Sequence, residues 1–105
     1  MSMIESDFRR QVADLAQLYG FLIDFHLKSY RDNTREGVTP GIPDLTLCKP
    51  PRLIYIELKM PGKKVSEDQQ KWIDALMASS VEVYIFTWSE TVVAQEILPI
   101  LRGEK

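Results

Sequence analysis

Residues 44–59 read Asp-Leu-Thr-Leu-Cys-Lys-Pro-Pro-Arg-Leu-Ile-Tyr-Ile-Glu-Leu-Lys, and their pattern decides the fold. Residues 44–48 and 53–59 alternate as strands do, and adjacent prolines cannot continue a central ladder. The turn is therefore 49–52, and a hairpin closes around it. Counting outward pairs Cys48 with Leu53, Leu47 with Ile54, Thr46 with Tyr55, Leu45 with Ile56 and Asp44 with Glu57. Side chains alternate between the two faces of a strand. Leu45, Leu47, Ile54, Ile56 and Leu58 then form one apolar side, while Asp44, Glu57 and Lys59 share the other. A slip of two residues would keep the same faces.

Opposed residues stand roughly 5 Å apart at Cβ, and two like charges placed so are unfavourable by some tenths of a kcal/mol. A proton, a cation or a bound metal relieves them. Lys59 supplies one positive charge. A hard divalent ion with oxygen ligands, Mg²⁺ or Mn²⁺, supplies the rest and leaves positions for waters and phosphate oxygens. A salt-bridged cluster on an exposed sheet face accounts for the same pattern. Under the metal reading, Asp44→Ala weakens ion binding and raises stability without the ion.

Outward from the hairpin, Ile4, Phe8, Val12, Leu15, Ala16 and Tyr19 recur at helical spacing, so residues 3–19 read as an amphipathic helix. Ser2 and Glu5 fit a capping box, and Gly20 is a natural stop. Residues 21–28 read as a strand with Phe21, Ile23, Phe25 and Leu27 on its core side, followed by a polar loop over 29–42. After Pro61 and Gly62, Ser66 opens a second helix with Gln69 in the capping-box position. Trp72, Ile73, Leu76 and Met77 form its buried face. Residues 81–87 alternate as a strand. Ser89 then caps a last helix carrying Val92, Val93, Ile97 and Ile100, which Pro99 kinks or ends. The order α-β-β-β-α-β-α, with a right-handed crossover from the hairpin to the last strand, is an α/β fold: a mixed sheet flanked by helices.

Composition sets limits. A chain of 105 residues with 45% apolar and 27% charged residues is read as one domain, residues 1–105. Its apolar runs fall far short of the ~20 residues that cross a bilayer. With no export signal and Cys48 as its lone cysteine, a reducing cytoplasm is expected, and a cysteine-based zinc site is excluded. The formal net charge of −2 disfavours nucleic acid mildly. The distribution does not: eight basic and four acidic residues fall between Lys28 and Lys64, a basic band on an acidic body.

Gly41-Ile42-Pro43-Asp44, a hairpin, and Ile56-Glu57-Leu58-Lys59 together resemble the signature of the PD-(D/E)XK nuclease superfamily, with its restriction-endonuclease-like core. Gly62, Ser66, Gln69 and Trp72, with Glu5, Phe8, His26 and Trp88, narrow the resemblance to the VRR-NUC family, the virus-type replication-repair nucleases. It covers nearly the whole chain in order. The chain departs from it where Glu67 and Asp68 follow the capping serine, a place where proline is common.

The resemblance implies a metal held by Asp44, Glu57 and the backbone carbonyl of Leu58. Lys59 positions or activates the attacking water, or stabilises the pentavalent phosphate. Glu5 supports the metal site from the first helix. Gln69 orients the lysine or a water on the metal. For Glu5 and Gln69 a capping box is the plainer alternative. His26, Lys63, Lys64, Arg31 and Arg35 are candidate DNA contacts, and Trp72 reads as core. The implied activity is Mg²⁺- or Mn²⁺-dependent cleavage of DNA by a homodimer, in branched substrates such as Holliday junctions. A flap or restriction-type nuclease and a non-catalytic DNA-binding module are the alternatives.

Overall fold

The computed structural model describes residues 3–26 and 40–104. Helix α1 spans Glu5–Leu18, and strand β1 spans Leu22–Phe25. The hairpin is β2 (Leu45–Lys49) and β3 (Arg52–Lys59). Helix α2 (Glu67–Ala78) leads to β4 (Glu82–Thr87). A π-helical segment, Val93–Ile97, runs into the short α3 (Leu98–Leu101). The strands lie in the order β1-β2-β3-β4. The first three are antiparallel, and β4 joins β3 in parallel after the α2 crossover. The chain thus forms a mixed four-stranded α/β sheet with the expected element order.

The hairpin register is the one read from the double proline: Leu45 faces Ile56, Leu47 faces Ile54 and Lys49 faces Arg52. Leu45, Leu47, Ile54, Ile56 and Leu58 have no exposed surface. Burying each contributes roughly 1.5–3 kcal/mol before conformational entropy is subtracted. Phe8, Val12 and Ala16 of α1 and Val92, Ile97, Ile100 and Leu101 of the C-terminal segment complete this core. Phe8 meets Trp88 edge to face at 5.3 Å between centroids. Helix α2 lies over the other face, which carries Asp44, Glu57 and Lys59, and buries Gln69 and Ile73.

Several expectations need correction. Helix α1 begins at Glu5, with Ile4 as its N-cap in extended conformation and no side-chain cap. Glu5 is the first helical residue, not the third, so its capping box with Ser2 does not form; Ser2 itself lies outside the described residues. Strand β1 is shorter than expected and lies at the sheet edge. Phe21 is buried, but Phe25, expected on the same core side, is 39% exposed. Alternation reports a strand, yet an edge strand has a neighbour on one side only, so its apolar side is covered only in part. Leu27 lies outside the described residues. On α2, Trp72 and Leu76 are half-buried and Met77 is exposed, so Ile73 alone of the expected four is fully buried. Proline lacks an amide hydrogen and crowds the carbonyl four residues back. Pro99 accordingly sits in the first turn of α3, directly after the wide π turn, instead of inside one continuous helix.

Arg52 clamps β3 to β4. It donates two hydrogen bonds to Glu82, at 2.8 and 2.7 Å, and the Tyr84 hydroxyl adds a third at 2.8 Å. The Arg52 hydrogen bonds hold the Glu82 carboxyl below the usual carboxylate range, against the opposing effect of burial. A depressed carboxyl contributes stability above its unfolded pKa and loses it as pH falls through its folded one. Glu82→Gln is therefore expected to cost about 1 kcal/mol near pH 7. Urea midpoints of parent and variant should converge as the pH is lowered through the acid range.

Candidate active site

The sequence Gly41-Ile42-Pro43 delivers Asp44 to the start of β2, and the glycine is required there. Gly41 has φ +87°, and a Cβ on it would lie 2.4 Å from the backbone carbonyl carbon of Asp68 in the first turn of α2. This close approach brings the approach to β2 under the helix. Gly41→Ala meets both a left-handed backbone and a backbone obstacle, so a loss of about 2–3 kcal/mol is expected. Thermal unfolding of the variant measures it.

Asp44 precedes the last β2–β3 pair by one residue and is 1% exposed. In the same register Leu58 faces Pro43. The Leu58 amide instead donates to Asp44 Oδ2 at 2.9 Å, so the carboxylate serves as a ladder acceptor where the β2 strand stops. Glu57, opposite Asp44 by extension of the ladder, is also 1% exposed. Both acids are thus buried, with the first turn of α2 against Glu57, which removes the reading of an exposed surface cluster. Buried charges persist only with compensating partners.

Gln69 organises the Glu57 side. Its amide hydrogen bonds to the Ser66 hydroxyl at 3.2 Å, and its Oε1 accepts from the Ser66 amide at 2.9 Å, a complete capping box. The same Oε1 accepts from Lys59 Nζ at 2.7 Å, while Nε2 donates to Glu57 Oε2 at 3.0 Å. Lys59 Nζ stands 3.4 Å from that same carboxylate oxygen. The cap and the contacts to Lys59 and Glu57 are therefore one arrangement. Capping fixes the helix end, and the helix end fixes the amide that aligns lysine and carboxylate.

His26 lies one step beyond β1. Its amide donates to the Asp44 carbonyl at 2.8 Å, which adds a rung to the β1–β2 ladder. Its ring meets Thr46 Oγ1 at 2.7 Å and lies 3.6 Å from Asp24. His26, Asp44 and Glu57 form one row across the site face. Glu5 connects to Asp44 through Arg9. Its carboxylate is half-exposed and 3.8 Å from Arg9, whose guanidinium is 4.0 Å from Asp44 Oδ1. Lys63 and Lys64 are exposed in the connection between β3 and α2. Arg31 and Arg35 lie outside the described residues. Arg9 is the residue sequence reasoning missed. Its signal is a basic residue directly after buried Phe8, four after Glu5, at the flank of the α1 apolar stripe.

Asp44 and Glu57 form an all-oxygen, hard donor set, and the backbone carbonyl of Leu58 lies between Glu57 and Lys59 in sequence. This chemistry fits Mg²⁺ or Mn²⁺ rather than zinc or copper. Among the described residues no group of three or more His, Cys, Asp or Glu side chains converges. Mg²⁺ is commonly held by one or two carboxylates, with waters and phosphate oxygens in its remaining positions.

Comparison with known proteins bears on the fold and the family. Solved structures share the fold, two of them as follows. A VRR_NUC domain protein has a TM-score of 0.66 at 19% identity, over 96% of this chain and 92% of its own. A VRR_NUC domain has a TM-score of 0.64 at 17% identity, over 88% of this chain and 96% of its own. No curated protein gives a significant sequence match. The VRR-NUC domain model matches residues 6–89, which hold the hairpin, the α2 cap and the parallel strand that together build the site. With most of its length matched and the same element order, the chain belongs to the VRR-NUC family, and its fold is a nuclease fold.

Proposed function

We propose that this protein is a metal-dependent endodeoxyribonuclease that hydrolyses phosphodiester bonds in branched DNA, such as four-way junctions, as a homodimer. The observation that carries the reading is the convergence of two buried carboxylates, Asp44 and Glu57, with Lys59 held at 2.7 Å by Gln69. Asp44, Glu57 and the Leu58 carbonyl would hold Mg²⁺ or Mn²⁺, with Glu5 supporting the site from α1. A bound divalent ion neutralises charge on the scissile phosphate and lowers the pKa of water.

The protein's own residues supply the rest. Phosphoryl transfer needs mainly positioning and electrostatic support. Lys59, nearly buried and fixed by Gln69 and Glu57, offers an ammonium of set position to the attacking water or the pentavalent phosphate. Gln69 holds the Glu57 carboxylate in orientation, and the Leu58 amide does the same for Asp44. Lys63, Lys64 and His26 at the site margin, with Arg31 and Arg35, are proposed to contact the DNA backbone. Such contacts position a duplex without reading its sequence, which supports structure-selective cleavage.

Symmetric cutting of two strands requires two sites related by a two-fold axis. Exposed Leu22 and Phe25 on the edge strand β1 support a covered surface there. The proposed compartment is the reducing cytoplasm.

The deciding experiment incubates the purified protein with duplex, flap and four-way DNA, with and without Mg²⁺ or Mn²⁺. Ion-dependent cutting of the four-way substrate supports the proposal. Preference for flaps or plain duplex moves it to another nuclease class. Binding without cutting under any ion makes the chain a non-catalytic DNA-binding module.

A further inference from the structure

We propose that Arg9 is one counter-cation of Asp44 in the metal-free site, and that its guanidinium competes with a divalent ion for that carboxylate. The inference rests on the metal reading of Asp44 and Glu57. Arg9 sits on α1, an element separate from the hairpin and from α2. Its Nη1 is 4.0 Å from Asp44 Oδ1 and 3.8 Å from Glu5 Oε2. Asp44 is 1% exposed, whereas Glu5 is 52% exposed at the mouth of the site. The guanidinium therefore bridges an inner carboxylate and an outer one.

The distances matter. A charge-assisted hydrogen bond between these groups closes to about 2.7–2.9 Å. Arg9 stands off from both acids by more than that, so it neutralises through space without locking onto either. Such a cation offsets the cost of burying Asp44 and remains displaceable. An incoming divalent ion at Asp44 would meet a positive charge a few ångströms away, and like charges at that range repel by several kcal/mol at the dielectric of a protein surface. Binding the ion therefore requires Arg9 to withdraw toward Glu5. Glu5, the acid that the family pattern marks on this helix, gains a physical role as the acceptor of that withdrawn guanidinium.

The test measures ion binding on the full-length protein without DNA, so catalysis does not enter. Mn²⁺ is titrated calorimetrically into the parent, Arg9→Gln and Arg9→Lys, with thermal unfolding followed with and without the ion. Arg9→Gln should bind Mn²⁺ tighter by about fivefold or more, the lower end of typical site–site coupling. It should also unfold at a lower temperature than the parent when no ion is present, and Arg9→Lys should stay close to the parent on both measures. A merely structural arginine predicts the opposite sign, because a damaged site binds the ion more weakly. Equal or weaker Mn²⁺ binding by Arg9→Gln overturns the proposal while leaving the metal site intact. A parent that binds no Mn²⁺, even at millimolar concentration, overturns the metal reading itself and this inference with it.

Discussion

Replacing Lys59 with methionine is expected to lower the cleavage rate by about 10²–10³-fold, the usual loss when one preorganised group stabilising transition-state charge is removed. Methionine keeps the aliphatic stem, so packing under α2 survives and the loss is chemical. Lys59 also faces Glu57 Oε2 at 3.4 Å, and Glu57 is almost wholly buried. Removing the ammonium takes away one of the positive charges that make this burial tolerable. Stability without an ion should fall by about 1–2 kcal/mol, less than for a fully enclosed pair because Lys59 retains some exposure. A divalent ion restores positive charge at the same place. Its stabilising effect should therefore be larger in Lys59→Met than in the parent, while cleavage stays low. Single-turnover cleavage and thermal unfolding with and without Mn²⁺ check both halves. A variant that cuts at the parental rate would remove Lys59 from the mechanism.

The hairpin was legible because two local signals coincide there. Alternation sets the faces, and the double proline sets the turn, so the register follows by counting. Asp44 and Glu57 could be paired on that basis before any tertiary contact was known. Gln69 was legible as a cap, but its second role depends on α2 lying over Lys59, which periodicity does not show. The burial of β1 is not legible for a related reason: alternation does not reveal that Phe25 sits at a sheet edge. Arg9 was hidden because its partner Asp44 lies 35 positions further along the chain, on another element. Gly41 could be quoted as part of a motif. Its cause, the approach of the Asp68 backbone, is tertiary.

Asp44 separates charge from hydrogen bonding, and two substitutions resolve them. Repulsion between Asp44 and Glu57 alone leads to the expectation that Asp44→Ala stabilises the metal-free protein. The structure adds a competing effect, because Asp44 Oδ2 accepts the Leu58 amide at 2.9 Å. Alanine leaves that buried donor unsatisfied at a cost of about 1–3 kcal/mol. Relieved repulsion returns only some tenths of a kcal/mol. Asp44→Ala is therefore expected to be less stable than the parent by about 1–2 kcal/mol, even though it carries one fewer buried charge. Asn at this position retains a carbonyl oxygen for the Leu58 amide and carries no charge. Asp44→Asn should be more stable than Asp44→Ala in the absence of metal, since it keeps the hydrogen bond and gives up both the Glu57 repulsion and the Arg9 attraction. Both variants should lose most of the stabilisation that Mn²⁺ confers, because a neutral amide is a poor ligand for a hard cation and alanine is none. Denaturant unfolding of the three proteins, each with and without Mn²⁺, gives the comparison. If asparagine destabilises the metal-free protein as much as alanine does, the negative charge at Asp44 is itself a stabilising part of the fold. The electrostatic reason for placing an ion between Asp44 and Glu57 would then be gone.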